Sequence, residues 1–306
     1  MDRGRLRFGA SMLYSYINAA HDVDPEQFEP GIPFEDQAAE HQLGINMLEW
    51  DVDAQFGVHR RFAFELMLPI RTTIIDASFA DAQGRPLPNF QSIHHRDEVI
   101  AGVGDLTFGG RIGLVLPENV PRWTLALRTG VSLPTGNTEP DPFALGAAGQ
   151  EHQHMFFGSG TVDPRIGFDT NVAFDRWGLV GWSLLEAPLY SNKHGYRGST
   201  VVVGGMGAQS GFGLQRWSFL VQPEVYFETP ARWNDTLARN SGRTSLIATA
   251  GAFFLPTPQW RLHALVKVPY ATFARGGQLR WPIVALLGFS YTVQVGKPER
   301  DGHHHG

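Results

Sequence analysis

Between Trp123 and Leu133 the chain alternates with a period of two. Odd positions carry Trp123, Leu125, Leu127, Thr129, Val131 and Leu133, and even positions carry Thr124, Ala126, Arg128, Gly130 and Ser132. Successive side chains of an extended strand point to opposite faces, so one face here is apolar and the other is small or charged. Segments of this kind recur along nearly the whole length, about twelve in all. They fall at 5–18, 43–57, 61–76, 102–116, 122–135, 160–174, 177–190, 199–213, 216–229, 243–255, 259–273 and 281–295. The seventh, eighth and tenth alternate poorly, which leaves their facing open.

The connections constrain the fold further. Those at His59-Arg60, Pro117–Pro121, Asp175-Arg176, Leu214-Gln215 and Pro256–Pro258 are short. Those at 19–42, 77–101, 136–159, 191–198, 230–242 and 274–280 are mostly longer, and the two kinds alternate without exception. A closed antiparallel barrel in an outer membrane is built this way, with brief periplasmic turns and longer external loops. An even strand count puts both termini on the periplasmic side. Trp123, Trp177, Trp217 and Trp260 each follow a short turn, where they would form a periplasmic aromatic girdle, and Trp281 falls at the opposite interface. Ordinary core tryptophan is the alternative reading, and four residues in one topological position argue against it.

Composition agrees with an all-β transmembrane barrel. The 306 residues include 35 glycines, 21 phenylalanines and no cysteine, so neither a disulfide framework nor a thiolate metal site is available. Net charge is -5, from 25 basic and 30 acidic residues, which gives no basic surface for nucleic acid. Mean hydropathy is -0.17 and there is no run of about 18 apolar residues, so no spanning helix is expected. Half of every barrel strand is polar, which keeps hydropathy low. No secretory signal precedes the first strand. A barrel needs one to reach the outer membrane, so the sequence reads as the mature region. The expected organisation is one barrel over 1–298 and a polar tail, 299–306, with His303-His304-His305.

Three segments carry a family resemblance: Gly102-Val-Gly-Asp-Leu-Thr-Phe-Gly-Gly-Arg111, Leu133-Pro-Thr-Gly136 and Phe157-Gly-Ser-Gly-Thr-Val-Asp163. In this order and spacing they resemble the phenol-degradation meta-pathway family of outer-membrane proteins, often labelled transporters. The resemblance covers roughly residues 100–170. It implies a Gram-negative outer-membrane barrel passing a small, often hydrophobic or aromatic, molecule; it names no substrate and no catalytic residue.

Turning the polar face inward gives a list of lumen residues. It comprises Glu49, Asp51, Asp53, Glu65, Arg71, Asp105, Arg111, Arg128, Arg165, Asp169, Glu224, Glu228, Arg261, His263 and Lys267, with Gln55 and Gln222 beside them. On the lipid face each charge would cost roughly 2–4 kcal/mol near the midplane. Either these groups form an internal salt-bridge lattice that fills the barrel, or they line a polar path; the two can coexist. The acidic ladder Glu49, Asp51, Asp53 needs compensation, for which Arg7, Arg71 and Arg111 are the candidates. Twelve strands enclose more than an eight-stranded barrel and less than a sixteen-stranded porin, so a narrow channel fits unless a loop plugs it.

Histidines cluster in two external loops, His94-His95 and His152-Gln153-His154. Imidazoles at this spacing can hold zinc, copper or nickel, although solvated polar loops are the plainer reading. Ser159 lies in Gly158-Ser159-Gly160 but has no base near it in sequence, and His263 is expected inside the lumen, so no enzyme activity and no cofactor are expected. The expected role is passive or facilitated passage of a small molecule, with loops 77–101 and 136–159 as gate. The expected partners are the outer-membrane lipid bilayer, the solute and, during biogenesis, the barrel-assembly machinery, with no nucleic acid. A plugged structural or loop-display barrel is the alternative.

Overall fold

The computed structural model describes residues 3–22, 40–88, 96–116, 122–211, 216–276 and 278–296. Its long strands are β1 (Arg5–Asp22), β2 (Glu40–His59), β3 (Phe62–Ala80), β4 (Glu98–Val103), β5 (Leu106–Val115), β6 (Arg122–Leu133), β7 (Asp163–Ala173) and β8 (Trp177–Glu186). A short β9 (Tyr196–Arg197) precedes β10 (Val201–Ser210) and β11 (Trp217–Glu228). Two more short strands, β12 (Arg232–Trp233) and β13 (Thr236–Leu237), lead to β14 (Arg243–Phe254), β15 (Trp260–Ala274) and β16 (Val284–Gln294).

Neighbouring strands pair antiparallel around a ring. β1 pairs with both β2 and β16, so the sheet closes on itself and leaves no free barrel edge. β4 and β5 lie end to end along β3, pairing with Ile70–Ile75 and Phe62–Met67 respectively. Together they make one stave, and the barrel has twelve. The sequence reads this stave as one strand over 102–116; the structure breaks it at Gly104-Asp105 and starts it at Glu98. The first three strands also run further than their alternation predicts, to Asp22, back to Glu40 and on to Ala80.

The outer surface explains the alternation. Phe8, Val52, Leu66, Phe108, Phe168, Val221, Val266 and Leu287 are all exposed although apolar, and all lie on one parity of their strands. Such a continuous apolar surface requires hydrocarbon around it. Trp123, Trp177, Trp217 and Trp260 open their strands directly after the short turns and remain 40–53% exposed, as a girdle demands. Trp281 instead precedes β16, which begins at Val284. No described helix is long and apolar enough to cross a membrane; α1 (Pro142–Ala147) is a single turn in an external loop, capped by the Asp141 carboxylate.

Poor alternation in β8, β10 and β14 has a specific cause: their second face is apolar too. Val180, Trp182 and Leu184 of β8, Val203 of β10, and Ile247 and Phe253 of β14 occupy the parity opposite the exposed Leu179, Val202 and Ala248 side.

Candidate functional site

Side chains that reach over an intervening strand must lie on the concave side of a closed sheet. Arg128 of β6 meets Glu65 of β3 at 3.2 Å across β5, and Arg111 of β5 meets Asp169 of β7 at 3.3 Å across β6. Lys267 of β15 meets Glu224 of β11 at 2.7 Å across β14, and Ser11 of β1 meets His263 Nε2 at 3.1 Å across β16. These contacts fix the parity of the interior, and the sequence-derived residues can be placed within it.

The acidic ladder is largely compensated. Arg71 ion-pairs with Glu49, and Arg7 with Asp53 at 3.0 Å. Asp51 lies between these pairs, and its Oδ1 has no hydrogen-bond partner among the described residues. Arg111, a third candidate for this ladder, faces Asp169 instead. Glu65 accepts from Gln55 at 2.6 Å as well as from Arg128, and Arg128 lies 3.9 Å from Asp169. A chain of four charges, Glu65, Arg128, Asp169 and Arg111, therefore runs along one wall. Glu224 also accepts from Thr249 at 2.6 Å and Gln222 at 3.2 Å. Arg261 stacks over the Phe253 ring at 4.2 Å.

Several partners escaped the sequence reading. Arg165 pairs with Glu186 at 2.8 Å. Glu228 pairs with Arg243 at 3.4 Å and accepts from Tyr226 at 2.6 Å. The Arg243 guanidinium lies 4.0 Å from the Trp281 ring centroid and 5.1 Å from that of Tyr226. Glu186 and Arg243 sit at strand ends in β8 and β14, where alternation was too weak to assign a face.

Two cavities flank the four-charge chain. One of about 410 Å³ includes Arg111 and Asp169 on one side, Lys267 and Glu224 on another, and Val180, Trp182, Leu220, Leu265 and Leu286 between. The other, about 200 Å³, is bounded by Glu65, Arg128, Arg165, Arg7, Asp53 and Met67, among others. The lumen is thus amphipathic rather than merely charged. Towards the external end it becomes apolar and packed: Ile17, Leu43, Ile45 and Ile75 are buried together, with Met155 and Leu279 from two loops against them.

Met155 belongs to the loop between β6 and β7, which turns inward. Asp105, expected to be a bare lumen charge, is the residue that holds it. Its Oδ1 accepts from the Gly136 amide at 2.9 Å, and its Oδ2 from the Ser159 amide at 2.7 Å and the Ser159 hydroxyl at 2.8 Å. Thr135 Oγ1 accepts from the Leu106 amide at 2.9 Å and donates to the Gly104 carbonyl at 2.8 Å. Gly136 and Gly158 cross in backbone contact: a Cβ on Gly158 would sit 2.5 Å from the Gly136 carbonyl oxygen. The three sequence motifs are therefore one structure, with the break in the β4–β5 stave supplying the clamp. Arg71, already paired to Glu49, also donates to the Phe157 carbonyl at 3.2 Å, and the Phe157 ring lies against Gly102. The cap and the acidic ladder share a side chain.

Outside the cap, β9, β12 and β13 form a small sheet with a tight Asn234-Asp235 turn, both residues at positive φ. Tyr196 and Trp233 of that sheet pack on Phe156 of the cap, with centroids 5.0 and 6.2 Å away. His152 and His154 lie in the same cap loop, with Nε2 atoms 3.1 Å apart. His94 and His95 fall outside the described residues, as does the tail 299–306.

Residues 32–181 match the family described as "MetA-pathway of phenol degradation". This span contains all three motifs joined at Asp105. Over these residues the chain is similar to that family. Among solved structures, an outer membrane channel from Pseudomonas putida F1 is 11% identical, covers 96% of this chain and 97% of its own, and superposes with a TM-score of 0.63. A Pseudomonas aeruginosa FadL homologue (10% identical, 96% and 91% covered, TM-score 0.41) and the P. putida toluene transporter TodX (8%, 95% and 90%, TM-score 0.42) are looser likenesses. At these identities the likeness is one of fold. No curated protein matches in sequence. The protein is a twelve-stranded β-barrel of the Gram-negative outer membrane.

Proposed function

We propose that the protein is a channel for passive or facilitated passage of a small molecule with an apolar or aromatic body and a polar group. The observation that carries this reading is the 410 Å³ cavity, where Val180, Trp182, Leu220, Leu265 and Leu286 stand beside the Arg111–Asp169 and Lys267–Glu224 pairs. Such a lining offers an apolar surface for a ring and fixed charges for a substituent. The fifteen lumen residues inferred from sequence serve three roles in this proposal. Glu65, Arg128, Asp169, Arg111, Glu224, Lys267, Asp53 and Arg165 border the cavities and set preference. Glu49, Asp51, Arg71, Glu228, Arg261 and His263 brace the wall, and Asp105 holds the cap. The cap formed by residues 136–159 is the gate.

No chemical step is part of this proposal. Ser159, the serine in a Gly-Ser-Gly setting, spends its hydroxyl on Asp105. The Ser11–His263 pair lies inside the lumen rather than on the lipid side where a lipase would meet its substrate.

Reconstitution into planar bilayers and solute-loaded vesicles tests the reading. Small discrete conductance steps and faster flux of single-ring aromatic acids or phenols than of equal-sized sugars are expected. Trp182→Ala should narrow that difference. Absence of both conductance and flux, in the intact barrel and in a variant with the cap released, would make it a plugged barrel.

A further inference from the structure

One inward-facing cation has no counter-charge. Arg261 is the second residue of β15, directly after the girdle residue Trp260, so it stands at the periplasmic end of the lumen. It is exposed there, and its guanidinium rests 4.2 Å from the centroid of the buried Phe253 ring. The other lumen cations inferred from sequence, Arg71, Arg111, Arg128, Arg165 and Lys267, all form ion pairs. Arg261 makes neither an ion pair nor a hydrogen bond among the described residues. The charge that acts on it is that of Arg7, also positive.

Further donors stand around it. Ser290 is the register partner of Arg261 on β16, and Thr292, two residues on, is the partner of Arg7 on β1. Register partners share a face, so all four side chains point into the lumen from three adjacent strands. Among the described residues the Ser290 and Thr292 hydroxyls make no hydrogen bond, and Arg7 Nε has no partner. Asp53, on the next strand, is held by Arg7 Nη2 at 3.0 Å. A patch of donors without an acceptor is complementary to an oxyanion.

The way down to this patch also favours a negative group. In the Arg111–Asp169, Arg128–Glu65 and Lys267–Glu224 pairs the cation is the more exposed partner, at 41 against 22%, 43 against 23% and 25 against 2%. Glu224 is screened further by Thr249 and Gln222, which donate to its Oε1. A solute in the cavities therefore meets the positive ends of these pairs first.

We propose that the periplasmic end of the lumen is an oxyanion site, in which Arg261 takes the carboxylate of a single-ring aromatic acid. This rests on the channel reading for the solute's route and narrows its polar group to a negative charge. The guanidinium fork matches two carboxylate oxygens, and stacking on Phe253 fixes the plane of the fork before anything binds. Ser290 and Thr292 offer hydroxyls beside it. Arg261 thus braces the wall through its flat face and keeps its N–H edge for the solute.

The experiment uses the full chain, in uncharged detergent micelles and in bilayers. Titration by saturation-transfer NMR, with benzoate and its uncharged counterpart benzyl alcohol, reads binding without any flux. Arg261→Gln should weaken benzoate binding by roughly tenfold, Arg261→Lys by less, and both should leave benzyl alcohol unchanged. Arg176→Ala, in a periplasmic turn outside the lumen, should change neither. Inorganic phosphate should displace benzoate from the parent less well than 4-hydroxybenzoate does. Folding of each variant is checked by heat-modifiable gel mobility, and the parent titration needs no variant. In planar bilayers under a KCl gradient, Arg261→Gln should move the reversal potential towards cation selectivity, and Arg261→Lys should not. No benzoate binding by the folded parent, equal binding by Arg261→Gln, or displacement by phosphate as strong as by 4-hydroxybenzoate overturns the proposal. Flux of both aromatics that is blind to Arg261 refutes the site and leaves the channel. Benzoate binding that needs Arg261 in a barrel passing neither compound refutes the channel and leaves the site.

Discussion

Replacing Asp105 by alanine tests whether the cap is held by one carboxylate. The side chain accepts three hydrogen bonds from the loop it clamps, at 2.7–2.9 Å. Bonds to a charged acceptor contribute about 1.5–3 kcal/mol each, so the low end for three is about 4–5 kcal/mol. The site is partly open, and water replaces part of what is lost when the carboxylate goes. Allowing for about half to be recovered leaves about 2 kcal/mol, close to a thirtyfold shift in the ratio of closed to released cap. Asp105→Asn should fall between, because its amide keeps one acceptor oxygen and presents N–H groups to donors on the other side. The assay pairs single-channel recording with limited proteolysis from the external side of intact vesicles. Asp105→Ala should raise mean conductance and expose 136–159 to cleavage, while the barrel stays folded by heat-modifiable mobility. Unchanged conductance and unchanged cleavage in a folded Asp105→Ala barrel would refute the clamp. Collapse of the barrel itself would show that Asp105 supports the wall rather than the loop.

Three further outcomes follow from particular contacts. Leu66 is exposed on the lipid side four residues past Phe62, about 10 Å up the wall and so near the middle of the apolar band; Leu66→Arg should therefore cost about 2–4 kcal/mol in folding into vesicles, whereas Phe62→Arg beside the periplasmic turn should cost about 0–1 kcal/mol, and equal costs would contradict the assigned orientation. Gly130 faces Gly109 across the β5–β6 pair, and a Cβ there would lie 2.5 Å from the Phe108 carbonyl oxygen, so Gly130→Val should lower the folded fraction on gels. Burial, then the negative charges of Glu228 and Asp163, push the Tyr196 hydroxyl up to about 12. The folded state therefore holds this proton more tightly than the unfolded chain. Its contribution is full below the ordinary tyrosine range, near 10, and is lost as pH rises through about 12. Absorbance titration at 295 nm of wild type against Tyr196→Phe isolates it.

Much of the wall was legible because a strand with lipid on one side and a lumen on the other must alternate. The twelve staves, their short turns and the four tryptophans after those turns follow from that one requirement. Alternation failed where both environments were apolar: Val180, Trp182 and Leu184 face inward from β8 as their neighbours face outward. The inner apolar cluster of Ile17, Leu43, Ile45 and Ile75 was hidden for the same reason, since an apolar residue at a strand end carries no sign of which solvent it avoids. Asp105 reads from sequence as a lumen charge, and its contact with the cap was not legible, because its partners Gly136 and Ser159 are brought to it only by a loop that folds back. The motif spacing held that information without displaying it. The pairing of charges was likewise beyond reach: strand parity puts Arg111 inside but does not say whether it meets Asp53 or Asp169.

The unequal strand lengths give the barrel a slanted rim. β2 has 20 residues and β8 has 10. At about 3.3 Å per residue and a tilt near 40°, these correspond to heights of about 50 Å and 25 Å. The shorter strand just crosses the hydrocarbon band, while β1, β2 and β3 stand above it like a parapet. Its inner side carries the apolar cluster against which the cap rests, so the rim is lowest on the β7–β8 side, where Tyr196 and Trp233 of the small sheet meet Phe156 of the cap close to the lipid surface. An antibody raised against the tall wall would therefore bind intact cells without touching the cap, whereas one against residues 187–200 would sit at its edge.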